Sequence, residues 1–154
     1  MEKVKNIFNQ VGSLIPGYKG YAERDERRNC DKTLRESIVN KLQECEKTFY
    51  FQMLNALKNK DKIKMVEIED LRKQTNTLMS KVKFAPYGAT SFFDNKQIKE
   101  DELQLIYQKD FELASEVSKL FDFLNVEDLP NITLQIKNCY EKLMLRNNYI
   151  KDFK

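Results

Sequence analysis

The stretch LIPGYKGYAERDERRNCDKTLRE, residues 14–36, separates two parts of the chain that have helical patterns. Pro16 disfavours helix in the residue before it, so a first helix over residues 1–15 is expected to end here. Pro16 and Gly17 suit the central positions of a type II turn, because proline presets a negative φ and glycine accepts a positive one. We therefore expect the chain to reverse direction at this turn and to begin a second helix near Ala22.

Apolar residues recur at steps of three and four along most of the remaining chain, which is the spacing of one helix face. This pattern predicts four long helices, over residues 22–59, 63–83, 98–124 and 130–152. The first of these four would be about 57 Å long at about 1.5 Å per residue. The sequence thus predicts an all-α fold in a single domain, residues 1–154. It would be an antiparallel four-helix bundle over residues 22–154, with the short amphipathic helix 1–15 packed against it.

The composition excludes several kinds of site. The chain has no histidine, which removes the most common general base and the most common zinc ligand. Its four glycines form no known phosphate-binding loop. Its three cysteines have no CxxC spacing and are expected to be buried, reduced thiols. These absences predict a protein that is not an enzyme and that uses no metal or cofactor.

Charge and hydropathy restrict the choice of partner and compartment. Positive and negative side chains nearly cancel, leaving a formal net charge of +3, so nucleic-acid binding is not favoured. No apolar run is long enough to span a bilayer, and the N-terminal residues do not read as a secretory signal. We therefore expect a soluble protein of the cytoplasm.

We call residues 14–36 the opening segment. Four arginines are concentrated in it, although the chain elsewhere prefers lysine: Arg24, Arg27, Arg28 and Arg35. Asp31 lies four residues from both Arg27 and Arg35, within reach of two guanidinium groups on one helix face. Asp110 interrupts the apolar stripe of the helix over 98–124 and needs a cationic partner, because an unpaired buried carboxylate is costly. We predict an ion-pair network that fixes the register between this helix and the helix over 22–59. Its predicted members are Arg28, Asp31, Arg35 and Asp110.

A second segment, FAPYGATSFFDNKQ over residues 84–97, contains Pro86 and Gly88, which break helices. We expect an ordered loop here, which we call the aromatic loop. It would be anchored by its four aromatic side chains, Phe84, Tyr87, Phe92 and Phe93. Together with Tyr18 and Tyr21 of the opening segment, these rings are predicted to close a small second core at one end of the bundle. The opening segment is therefore interpreted as a structural joint.

These two segments carry a resemblance. PGYKGYAERDERRNCDKTLR (16–35), YGATSFFD (87–94) and LQLIYQKD (103–110) resemble a family of small uncharacterised bacterial proteins that have the patterns PGYxGYxxxxxRRxxDxxLR, YGxxxxFD and LxxxYxxD. The resemblance implies an all-helical domain with no established activity and supplies no catalytic residue. It also places the opening segment and the aromatic loop in one pattern, which is consistent with their meeting in space.

Several functions stay open at the level of sequence. The favoured one is a noncatalytic interaction or scaffold module that binds a protein partner through a bundle face, or through the end that the opening segment and the aromatic loop form. One alternative is a peripheral membrane protein attached through residues 1–15, where Lys3 and Lys5 flank an apolar stripe, although core packing is the expected use of that stripe. Another is a binder of a small anion at the cluster Arg24–Arg35. A homodimer is also open, through an apolar face of the last helix formed by Tyr140, Leu145, Tyr149 and Phe153.

Overall fold

A computed structural model describes residues 1–94, 97–124 and 128–154. These residues are all-α, with no β-strand among them, and the all-α prediction is confirmed. The helices of the described chain are α1 (Glu2–Leu14), α2 (Arg27–Lys58), α3 (Lys62–Lys83), α4 (Glu100–Phe123) and α5 (Leu129–Lys151). Two short 3₁₀ turns, Arg24–Glu26 and Ser91–Phe93, lie in the connections.

Helices α2 and α3 form an antiparallel hairpin. Arg35, near the start of α2, donates to the carbonyl of Lys83 at the end of α3. Further along, Arg72 of α3 pairs with Glu46 of α2 at 2.8 Å. The hairpin is closed by residues 59–61, and the Asp61 side chain accepts the N–H of Lys64 and so caps α3.

Helices α4 and α5 form a second antiparallel hairpin. Near the start of α4, the carbonyl of Glu102 accepts the hydroxyl of Tyr149, which lies near the end of α5. At the other end, Gln135 of α5 donates to the carbonyl of Glu116 of α4. Contacts between α3 and α5 and between α2 and α4 pack the two hairpins against each other. The up-and-down order of all four long helices stays a prediction.

The short helix α1 packs along α4, and its apolar stripe is used in the core. Ile7 and Val11 are buried, as is Ile15 just after the helix. The predicted reversal follows: the N–H of Tyr18 donates to the carbonyl of Ile15, and Gly17 has a φ of +80°, as a type II turn requires. This turn returns the chain toward the start of α2.

Helix α2 begins later than its apolar pattern predicts. The pattern places the start near Ala22, but the chain bends at residues 21–23 and passes through the 3₁₀ turn before α2 begins at Arg27. The buried Arg27 side chain donates to the carbonyl of Tyr21, which holds the preceding segment across the helix start instead of in line with it. With 32 residues, α2 is about 48 Å long and not about 57 Å.

The other helix boundaries differ from the predicted ones by one or two residues, and α4 begins at Glu100 instead of Ile98. The side chain of Asp128 caps α5 by accepting the N–H of Asn131, and Pro130 lies in the first turn. Residues 95 and 96 of the predicted aromatic loop, and residues 125–127 of the predicted turn before α5, lie outside the described residues. Across the ranges that are described, no helix combines the length and the apolar character needed to cross a membrane.

Candidate functional site

Asp110 of α4 is fully buried, and its carboxylate accepts hydrogen bonds from two directions. The hydroxyls of Tyr18 and Tyr21 each donate to Oδ2 at 2.6 Å. On the other side, Nε of Arg146, a fully buried residue of α5, donates to Oδ1. Asp110 therefore ties the opening segment to both helices of the second hairpin.

Asp31 of α2 provides a second buried carboxylate beside the first. Its Oδ1 accepts from Nη2 of Arg146 and from the hydroxyl of Tyr87, both at 2.7 Å. Its Oδ2 accepts from Nε of Arg35 at 2.9 Å. Arg146 also donates to the hydroxyls of Tyr21 and Tyr87. One guanidinium group thus bridges both carboxylates and joins α2, α4, α5 and the aromatic loop.

We call these side chains the buried polar cluster: Tyr18, Tyr21, Asp31, Arg35, Tyr87, Asp110 and Arg146. Burial alone would raise the pKa of Asp31, but the neighbouring guanidinium groups outweigh it and hold that pKa below its usual value. Burial raises the pKa of Tyr18 and Tyr21 well above their ordinary value, and raises that of Tyr87 to about 12. The three hydroxyls therefore stay protonated near neutral pH and act as donors to the carboxylates.

The buried polar cluster is internally complete. Its two aspartates and two arginines balance in formal charge. In the part of the chain that the structure describes, Asn147 Oδ1 is the one buried side-chain polar atom without a partner, and it lies outside the cluster. A cluster whose donors and acceptors already bind each other is suited to fixing the relative positions of helices.

Three members of the predicted ion-pair network lie in the buried polar cluster, and the fourth, Arg28, does not. Arg28 is exposed, and its guanidinium group lies 4.8 Å from the centre of the Phe93 ring. Arg146 occupies the place in the network that the sequence pattern assigned to Arg28. The signal for Arg146 was present in the sequence, since it follows Leu143 by three residues and precedes Ile150 by four, both in the apolar stripe of the last helix.

The remaining arginines of the opening segment have other contacts. Arg27 is buried and donates to the backbone carbonyls of Tyr21, Phe92 and Asp94. It therefore clamps the opening segment to the aromatic loop, a role that its spacing from Asp31 did not suggest. Arg24 is exposed, and its Nε lies 3.3 Å from Oδ1 of the neighbouring Asp25.

The aromatic loop and the opening segment meet in space at one end of the molecule, but their buried rings belong to the main hydrophobic core and do not form the separate second core that was predicted. The buried Phe92 ring lies 5.2 Å from the Tyr21 ring, 5.1 Å from the Phe93 ring and 5.4 Å from the Phe153 ring, centre to centre. Phe84 does not take part: it is 71% exposed, so the prediction that it anchors the loop is wrong. It lies just past the last turn of α3, before the loop turns inward.

Gly20 explains why the opening segment fits so closely against α4. Its φ is +86°, and a Cβ atom added there would lie 2.5 Å from the hydroxyl of Tyr107. That hydroxyl accepts the N–H of Tyr21 at 3.0 Å. A residue with a side chain at position 20 would therefore disturb both the backbone conformation and this hydrogen bond.

The three cysteines are free and buried. Burial raises the pKa of Cys30, Cys45 and Cys139 to about 12 in each case, so these thiols stay protonated. Among the described residues, no group of three or more His, Cys, Asp or Glu side chains is arranged to hold a metal ion.

An open apolar groove lies on the surface between α3 and α5, with a volume of about 630 Å³. Its floor is apolar, and Leu134 in it is 55% exposed. Lysines stand at its edges, and the ammonium group of Lys81 lies 5.6 Å from the centre of the Tyr140 ring. The residues that form it include Lys73, Thr77, Leu78, Leu134, Lys137 and Tyr140. The sequence did not predict this groove, because its width depends on how far apart the two hairpins pack.

No protein family model, curated protein or solved structure matches this chain. The resemblance to the bacterial family therefore stays a prediction.

Proposed function

We propose that this protein is a noncatalytic helical interaction module whose α3–α5 groove binds an amphipathic helix of a protein partner. The observation that carries the proposal is the open groove itself, in which Leu134 is left 55% exposed. Apolar side chains that converge in a surface groove are a common feature of binding sites for partner helices.

The shape of the groove suits a helix. Its walls run along α3 from Lys73 to Leu78 and along α5 from Pro130 to Tyr140, so the longer wall extends about 15 Å. An amphipathic helix presents an apolar side chain every three or four residues, and two or three such anchors fit within this length. Leu134 would contact the central anchor.

The charge at the edges indicates the composition of the partner helix. Lys73 and Lys137 line the groove and form no ion pair within the described ranges of this chain. Acidic side chains that flank the apolar anchors would face these ammonium groups. We therefore expect a partner helix with an apolar stripe bordered by aspartate or glutamate.

The anion-binding and membrane alternatives have less support from the contacts. Arg27 donates to backbone carbonyls, and Arg35 donates to Asp31 and to the carbonyl of Lys83. These two guanidinium groups of the cluster Arg24–Arg35 therefore use their donors within the chain and do not offer them to an anion. Attachment to a membrane through residues 1–15 would require α1 to leave the core. Phe153, one of the four residues of the predicted homodimer face, is buried at the end of the bundle and does not contribute to an exposed face.

The test is a selection from a displayed library of helical peptides against the full-length protein. We expect the enriched peptides to share apolar residues spaced by three or four positions with acidic neighbours. Their binding should be lost with Leu134→Asp and kept with Leu145→Asp, a matched control because Leu145 is 51% exposed on the same helix but does not line the groove. Equal binding to both variants would show that the groove is not the site.

A further inference from the structure

We infer that the end of the α2–α3 hairpin is a separate binding surface, and that it binds the anionic headgroups of a lipid membrane. We call this surface the α2–α3 tip, residues 51–66. It comprises the last two turns of α2, the connection and the first turn of α3. It involves neither the α3–α5 groove nor the buried polar cluster.

Positive charge is concentrated at the α2–α3 tip. Residues 58–64 read KNKDKIK, with four lysines and one aspartate, and their net charge of +3 equals the formal net charge of the whole chain. Lys58, Lys60 and Lys62 are exposed and form no ion pair in the part of the chain that the structure describes. The one acidic residue among them, Asp61, caps α3.

Large apolar side chains surround these lysines and are left exposed. On α2 they follow one another at steps of three, and the same spacing recurs on the first turn of α3. The exposed fraction reaches 65% at Phe51 and 75% at Ile63. The set is Phe51, Leu54, Leu57, Ile63 and Val66. Because Leu57 is only about 9 Å from Phe51 along the helix axis, the whole set lies close to the turn.

A lipid surface accommodates both features at once. Lysine ammonium groups bind headgroup phosphates, while apolar side chains between them enter the boundary with the acyl chains. Each lysine contributes about a fivefold gain in partitioning onto an anionic leaflet. Attachment of this kind is peripheral, since the surface consists of two helix ends and a short turn.

Other partners fit the α2–α3 tip less well. Single-stranded nucleic acid is bound by aromatic rings that stack on bases and by arginine, but the tip has Phe51 as its one aromatic residue and contains no arginine. A protein partner would need apolar groups and acidic groups in alternation, in order to contact both the aliphatic side chains and the lysines between them. A membrane needs no such detailed match.

The test uses tryptophan fluorescence, because the chain contains no tryptophan of its own. Full-length Phe51→Trp is mixed with vesicles of equal parts phosphatidylcholine and phosphatidylglycerol, and separately with vesicles of phosphatidylcholine alone. We expect a blue shift with the anionic vesicles only, weakened by added salt. The matched control is Phe84→Trp, since Phe84 is 71% exposed just beyond the other end of α3 and should show no shift.

A pair of charge reversals tests the lysines by vesicle co-sedimentation. Lys60→Glu/Lys62→Glu should lower binding by roughly 25-fold or more, because two contributions of about fivefold are lost. Lys3→Glu/Lys5→Glu makes the same change of charge on α1 and should leave most of the binding.

Three results would overturn the inference. The first is no binding to anionic vesicles, and the second is an equal loss in both charge-reversal pairs, which would indicate a response to net charge alone. The third is a concentration-dependent blue shift of Phe51→Trp without vesicles, which would make the α2–α3 tip an interface between two copies of the chain. None of these results would bear on the α3–α5 groove, whose test uses soluble peptides.

Discussion

Replacing Arg146 with methionine would leave two buried carboxylates without the cation that they share. Arg146 is fully buried, and its guanidinium group donates to Asp110, Asp31, Tyr21 and Tyr87. Methionine fills part of the space but donates no hydrogen bond. Asp31 keeps Arg35, whereas Asp110 keeps only neutral hydroxyl donors among the hydrogen bonds described above.

The expected loss of stability is large. Removing one partner of a buried ion pair costs about 3–5 kcal/mol, because an uncompensated charge remains in a medium of low polarity. A single domain is stable by about 5–15 kcal/mol in total, so this change removes a considerable part of the free energy of unfolding. For a chain of this size, we expect a fall in Tm of roughly 6–20 °C.

The deficit should depend on pH, with a definite sign. In the wild type, burial raises the pKa of Asp31, but the neighbouring guanidinium groups lower it by more, so this pKa lies below its usual value. That ionised carboxylate adds stability above its unfolded pKa of about 3.9, and the gain is lost as the pH falls through the lower, folded pKa. In Arg146→Met, Asp31 loses one of the two guanidinium groups that lower its pKa, so this contribution to stability becomes smaller. The difference between the two proteins should therefore be largest near neutral pH and shrink as the pH falls to and below the unfolded pKa of about 3.9.

Thermal and urea unfolding, followed by far-UV circular dichroism, measure these effects. Arg72→Met is the control, because its partly exposed pair with Glu46 should contribute about 1 kcal/mol or less. If Arg146→Met does not fold, the double variant Arg146→Met/Asp110→Asn removes the orphaned charge and should recover folding. A deficit below about 1 kcal/mol, or one that stays constant with pH, would refute the assignment of Arg146 as the bridging cation.

Three further predictions concern the opening segment and the core. Gly20→Ala should destabilise the protein by more than about 1 kcal/mol, since an added Cβ would lie 2.5 Å from the hydroxyl of a tyrosine. Gly12→Ala, in open space on α1, should instead stabilise the protein by about 0.5–1 kcal/mol. Chemical denaturation of both variants tests this pair of predictions. Arg27→Ala should cost about 1–3 kcal/mol through carbonyls left unpaired, and the exposed Arg28→Ala should cost less than about 0.5 kcal/mol. The three buried thiols, with pKa values raised by burial to about 12, should react with a thiol reagent in the folded protein only at the rate of unfolding, so fast labelling under native conditions would contradict their burial.

The sequence pattern predicted the helices well because each one carries a long apolar stripe. It also identified Asp110 as a residue that needs a cation, since a carboxylate buried in an apolar stripe is costly unless a positive charge pairs with it. It did not identify Arg146 as that cation. The place of Arg146 in the stripe of the last helix indicates that it is buried, but its pairing with Asp110 depends on which helices face each other, which a single-helix pattern does not contain.

The start of α2 and the α3–α5 groove were missed for related reasons. Residues 22–26 are compatible with helix, but Arg27 draws the preceding carbonyl across the helix start, and a contact of that kind overrides local propensity. The groove arises from the distance between α3 and α5. The stripe that contains the buried Ile132 and Ile136 places Leu134 on another face of α5, but it does not show that α3 lies across a groove from Leu134.

The measurement that tests the proposed function most directly is site-specific photo-cross-linking in cells, with a photoreactive amino acid placed at position 134 or at position 145. We predict that position 134 captures one defined protein, that the captured segment is an amphipathic helix bordered by acidic residues, and that position 145 does not capture it. Capture of the same proteins from both positions, or a captured segment without helical apolar spacing, would contradict the account.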